Sequence, residues 1–116
     1  MSKSGTQRRL AAILAADVVG YSRLMGQDEA GTLAALKALR TDLIDPKIVE
    51  HAGRVFKSMG DGLLAEFPSV VNAVACAMEI QRDMQRRNTN LPEEGAIRLR
   101  IGINLGDIIV EDGDVP

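Results

Sequence analysis

The sequence predicts an α+β domain: an antiparallel sheet with helices on one face, built in the order β-α-β-β-α-β. Three observations point there. A continuous apolar run, Leu10 to Ala16, is too short for a core helix and is bounded by aspartate and glycine. Arg54 to Ser58 and Leu63 to Phe67 read as two strands joined by Met59-Gly60-Asp61-Gly62, a hairpin signal. Ile97 to Ile103 alternates strictly, with Ile97, Leu99, Ile101 and Ile103 on one face and Arg98, Arg100 and Gly102 on the other, as in a half-buried strand. The 116 residues are 46% hydrophobic and 26% charged, enough for one domain with a real core and too few for two. Aromatics are only 3%, so that core must be aliphatic.

Residues 1–9 read as a flexible polar tail, and 10–116 as the domain. After the first strand comes a loop, then a helix from about Asp28 to Leu43. Asp28 and Glu29 suit its N-terminus, and Leu33, Leu36, Leu39 and Leu43 recur at helical spacing. Asp45-Pro46 is expected to interrupt it, with Pro46 opening a short helix that ends near Gly53 as a left-handed cap. Pro68-Ser69 starts a long helix in which Val70, Ala73, Ala77, Ile80 and Met84 form the apolar stripe and Val71, Val74 and Met78 widen it. Beyond the alternating strand, Gly106-Asp107 is expected to turn into Ile108-Ile109-Val110. This order is the split βαβ, or ferredoxin-like, arrangement. Its third strand runs antiparallel beside its first. The end of the first strand, at Asp17, therefore borders the start of the third, at Asp61.

Several function classes fall away. The formal net charge of −2 leaves no basic footprint for nucleic acid or an anionic membrane. No window approaches the ~20 apolar residues of a membrane span, and Met1 to Gln7 lacks an apolar signal core. One cysteine, Cys76, cannot form an internal disulfide, which fits a reducing cytoplasm.

Asp17 alone reads as a turn or cap residue, and Asp-Gly as an ordinary hairpin turn. Together they say more. Two neighbouring carboxylates repel unless a cation lies between them, and a hard oxygen site of this kind suits Mg²⁺ or Mn²⁺ bound to a phosphate ester. Val18-Val19-Gly20-Tyr21-Ser22 is expected to supply backbone N–H groups, with Gly20 allowing close approach to phosphate oxygens. Lys57 reads either as a solvated strand lysine or as a donor to a purine edge or phosphate. Arg100 reads either as a solvating side chain or as a phosphate contact.

Asp17-Val18-Val19-Gly20-Tyr21-Ser22, Lys57-Ser58-Met59-Gly60-Asp61-Gly62-Leu63-Leu64-Ala65-Glu66-Phe67 and Arg100-Ile101-Gly102-Ile103-Asn104-Leu105-Gly106 resemble three successive motifs of the class III nucleotidyl cyclase catalytic domain, in the right order and spacing. The resemblance covers about residues 10–114. It implies an adenylate cyclase of bacterial type that turns ATP into cyclic AMP and pyrophosphate, using two Mg²⁺ or Mn²⁺ ions. It makes Asp17 and Asp61 the metal-binding aspartates, with the Val18 carbonyl a further ligand. Lys57 matches the lysine of adenylate cyclases that reads adenine, and Arg100 an arginine that binds phosphate. Val19, Gly20, Tyr21, Ser22 and Gly60 complete the implied nucleotide site. The family acts as dimers with each active site completed across the interface, so a homodimer is implied.

Asn104-Leu105 departs from the family's more usual His-Thr or His-Ser. In relatives the stretch after the position of Pro116 carries a second purine-reading residue and the Asn and Arg that stabilise the transition state. By the resemblance, residues 1–116 alone are expected to be inactive, losing ~10²–10³ in rate for one such donor. The rival expectation is a non-catalytic cyclase-like module for dimerisation or nucleotide sensing.

Overall fold

Four strands form one antiparallel sheet in the computed structural model, which describes residues 6–111. β1 (Thr6–Val18), β2 (Arg54–Met59), β3 (Gly62–Phe67) and β4 (Leu99–Glu111) lie in the order β2-β3-β1-β4, as the split βαβ reading requires. β1 reaches further back than expected. Thr6–Arg9, assigned to the tail from sequence, pair with Ile108–Glu111 of β4. β4 likewise passes straight through Gly106-Asp107, where a turn was expected. Gly106 is there for packing: an added Cβ would stand 2.8 Å from Ile13 Cδ1.

The first crossover is more helical than the sequence suggests. α1 (Tyr21–Gln27) occupies the stretch read as a loop. α2 (Glu29–Leu39) starts at Asp28, whose carboxylate accepts from the Gly31 N–H at 3.0 Å. The helix then does not break at Asp45-Pro46. It runs through a π turn (Arg40–Ile44) into α3 (Asp45–Glu50), and the Asp45 N–H donates to the Arg40 carbonyl five residues back. A proline ring crowds the carbonyl four residues earlier, here Asp42, and a wider turn relieves that clash.

α3 closes in a Schellman cap. The Gly53 N–H donates to the Ile48 carbonyl at 2.7 Å and the Ala52 N–H to Val49 at 3.0 Å. The left-handed residue is Ala52 (φ 66°), not the expected Gly53. Gly53 serves closeness instead, because a Cβ there would stand 2.5 Å from the Phe67 ring.

α4 (Val70–Asn88) is capped by Ser69, whose hydroxyl accepts from the Asn72 N–H at 3.1 Å. It buries Ala73, Cys76, Ile80 and Met84. Val71 (77% exposed) and Met78 (68%) face solvent, so the expected widening of the stripe does not occur. The core joins these residues to Ala12, Leu14 and Ala16 of β1, Leu63, Ala65 and Phe67 of β3, and Leu39, Leu43, Ile44 and Ile48. Leu99, Ile101 and Ile103 of β4 pack against it. Alternation then puts Ala15, Asp17, Leu64 and Arg100 on the sheet face away from the helices. Among the described residues, no helix is long and apolar enough to cross a membrane.

Candidate active site

Asp17 sits one residue before the end of β1, directly opposite Gly62 on one side and Arg100 on the other. Asp61 precedes Gly62 in the Gly60-Asp61 turn, and its carbonyl accepts from the Val18 N–H at 2.8 Å. That bond extends the β1–β3 ladder into the turn and fixes the Asp61 backbone. Gly62 permits it, because a Cβ there would run into the Ala16 carbonyl oxygen and stand 3.2 Å from Asp17 Cβ. Sequence reading put Asp-Gly at the tip of the hairpin. The tip is Gly-Asp, since Gly62 already belongs to β3 and pairs with Met59.

Both aspartates border one cleft at this end of the sheet, whose other walls include Val18, Met59, Gly60 and Arg40 and, toward the helices, the apolar Leu36, Leu39, Ile44, Leu63 and Leu99. Its volume is about 50 Å³. That holds a few waters or small ions and falls well short of the ~300 Å³ or more of a pocket that encloses an organic ligand. As a donor set, two carboxylates at one end of the sheet suit hard divalent cations.

Val19-Gly20-Tyr21-Ser22 leads from β1 into α1 with Gly20 left-handed (φ 68°). The Val18 and Val19 amides, expected to face phosphate, are instead committed to the Asp61 and Arg98 carbonyls. The first N–H groups of α1, from Tyr21 to Arg23, precede its first internal bond, Leu24 to Gly20, and so remain open to an acceptor. The Tyr21 hydroxyl lies over the turn, 3.1 Å from where a Gly60 Cβ would be.

Arg100 Nε donates to Asp17 Oδ1 at 2.9 Å. Lys57 stands opposite Leu64, after a bulge at Phe56, and Leu64 stands opposite Ala15. Cross-strand partners share a face, so Lys57, Asp17 and Arg100 all belong to the helix-free face. Lys57 is exposed and does not line the cleft. Sequence reasoning missed Arg40, which lines the cleft from the π turn and donates to Ser58 Oγ at 2.9 Å and Asp45 Oδ1 at 2.7 Å. The signal was Pro46 in an unbroken helical pattern, which demands a local widening.

A second charged cluster lies between α3 and α4. His51 follows α3 as its C-cap, and its enclosed Nε2 lies 3.2 Å from Glu79 Oε1. Glu50, His51 and Glu79 bring ligand atoms within 4.8 Å of one another. Lys47 already supplies the cation: its Nζ donates to Glu79 at 3.0 Å and to Glu50 at 3.3 Å. These two bonds, Glu79 first, hold the lysine above its ordinary pKa. The Lys47 bond and then His51 hold Glu79 below the usual carboxylate value. This cluster ties α3 to α4.

The crystal structure of an adenylate/guanylate cyclase/hydrolase from Silicibacter pomeroyi matches 94% of the chain with a TM-score of 0.84 and 50% identity. A Rhizobium meliloti protein named "Putative adenylate cyclase 3" is 56% identical over 115 residues, 99% of the chain. The chain belongs to the class III adenylate/guanylate cyclase domain family. It spans about a fifth (20%) of the Rhizobium protein and 63% of the Silicibacter chain. The guanylyl cyclase Cya2 shares the cyclase fold, with a TM-score of 0.75 over 96% of this chain and 62% of its own at 24% identity. No protein-family model matches.

Proposed function

We propose that this cyclase domain converts ATP to 3′,5′-cyclic AMP and pyrophosphate, as part of a longer cytoplasmic enzyme in cyclic nucleotide signalling. What supports this reading is that Asp17 and Asp61, next to each other across β1 and the β2–β3 turn, both border one small cleft. When bound there by the two carboxylates and the Val18 carbonyl, two Mg²⁺ or Mn²⁺ ions supply an activated attacking oxygen and charge neutralisation at the leaving pyrophosphate. The residues of the chain divide the remaining work. The N–H groups of Gly20, Tyr21 and Ser22, with Gly60 giving room, receive phosphate oxygens at the start of α1. Arg100 takes a phosphate charge. Lys57 donates to adenine N1, which favours ATP over GTP.

The cleft is too small to enclose a nucleotide, and Lys57 lies outside it on the open sheet face. Both facts support a homodimer in which Lys57 reads a base held by the partner's aspartates. The test uses the full-length protein with Mn²⁺ and ATP, measuring cyclic AMP by chromatography. Asp17→Ala and Asp61→Ala should each reduce turnover to background with unchanged circular dichroism. Wild-type turnover in either variant refutes the reading. A parent protein that binds ATP but forms no cyclic AMP would instead be a nucleotide-sensing module.

A further inference from the structure

Asp17 faces two claims on one carboxylate. It is the aspartate assigned to cations in the reading above, and its Oδ1 accepts from Arg100 Nε at 2.9 Å. Asp61, one residue from Asp17's partner on the opposite side, has no ion-pair partner among the described residues, and neither does Arg100 beyond Asp17. The asymmetry has a simple origin: antiparallel register places Arg100 directly opposite Asp17, close enough for side chains to touch.

We propose that Arg100 is a place-holding counter-ion, exchanged between Asp17 when cations are absent and a phosphate group once they are bound. The inference rests on the metal-site reading of Asp17 and Asp61. If the Asp17 carboxylate held cations, a guanidinium left on Oδ1 would stand beside like charge. Leaving is easy. Arg100 is 72% exposed and Asp17 45% exposed, and an exposed pair of this kind shifts an equilibrium only roughly two- to fivefold. The strand register keeps the Arg100 backbone opposite Asp17 after the exchange, so the freed guanidinium would stay within reach of a phosphate group brought to Asp17. Arg100 is then a positioning residue in the absence of cations and a phosphate ligand in their presence. By reciprocity, cation binding and phosphate binding favour each other through it.

Two measurements on the full-length protein test this without turnover. Mn²⁺ affinity is read by electron paramagnetic resonance, with no nucleotide present. Arg100→Ala should bind Mn²⁺ roughly two- to fivefold more tightly, while Arg100→Lys, which keeps a cation for Asp17, should stay near wild type. Separately, phenylglyoxal modification of Arg100 is followed by mass spectrometry. Mg²⁺ alone should accelerate it in the wild type, and in Asp17→Ala it should already be fast and indifferent to Mg²⁺. Unchanged or weaker Mn²⁺ binding in Arg100→Ala, or a modification rate blind to bound Mg²⁺, overturns the exchange. Asp61→Ala separates the two levels of inference: if it binds Mn²⁺ as the wild type does, the metal-site reading itself fails.

Discussion

Gly62→Ala is the sharpest perturbation of this site. It adds one methyl group and no charge. The new Cβ would collide with the Ala16 carbonyl oxygen and lie 3.2 and 3.3 Å from Asp17 Cβ and Cα. The first collision is with backbone, which cannot swing aside as a side-chain end does, so β3 must back away from β1. Overpacking of this sort costs about 1–3 kcal/mol. The bond most exposed to it is Val18 N–H to Asp61 C=O, now 2.8 Å. Amide exchange at Val18 should therefore speed up roughly 5- to 150-fold, at tenfold per 1.4 kcal/mol. The same retreat moves Asp61 relative to Asp17, and about 1 Å of misplacement costs ~10²-fold in rate. Gly102→Ala is the control: a Cβ there meets nothing within 4 Å, and alanine in a strand gains about 0.5–1 kcal/mol over glycine. Hydrogen exchange by mass spectrometry and Mn²⁺-supported turnover, both on the full-length protein, read the two effects. Wild-type protection and turnover in Gly62→Ala would refute the argument. Lost turnover with Val18 still protected would show that strand separation is not its cause.

Lys57→Glu replaces a donor by an acceptor at the proposed base-reading position, and the ratio of ATP to GTP turnover should fall; an unmoved ratio removes Lys57 from base recognition. Burial, and then the nearby Glu79 charge, push the Cys76 thiol up from 9.0 to about 11. The folded value lies above the unfolded one, so this contribution is complete below about pH 9 and is lost as the pH rises through about 11. Stability measured across that window should fall more steeply in wild type than in Cys76→Ala, and parallel slopes would show the thiol is not the responsible group.

The strands and their order were legible because each rests on a local signal: alternation in Ile97–Ile103, the glycine-flanked hairpin signal Met59-Gly60-Asp61-Gly62, and an apolar run ending at Ala16; that order is what brings Asp17 and Asp61 to one end of the sheet. What was not legible depends on partners the linear pattern does not name. Gly106 reads as a turn until Ile13 is seen packing across it. Gly53 reads as a left-handed cap until the Phe67 ring is seen to need its missing side chain, with Ala52 taking the left-handed position. In α4, two stripes one residue apart both have helical spacing; the one containing Cys76 faces the sheet, and Val71 and Met78 are left in solvent. At the site, the Arg100–Asp17 bond follows from a strand register that spacing alone cannot supply.

The site owes its geometry to backbone more than to side-chain packing. One transverse row of the sheet carries Arg100, Asp17 and Gly62, and the turn hangs Asp61 one residue beyond it. Ladder bonds position all of these, and the two acids and the arginine remain substantially exposed. Side chains with solvent around them can exchange partners at little cost, whereas the backbone distances between them cannot change without breaking the sheet. On the proposed function, a site that accepts cations and a triphosphate and later releases pyrophosphate would gain from that division. Its rigid part sets where charges meet, and its exposed part lets them change hands. The glycine opposite Asp17 is therefore as much a part of the proposed machinery as the acids themselves, although it offers no functional group.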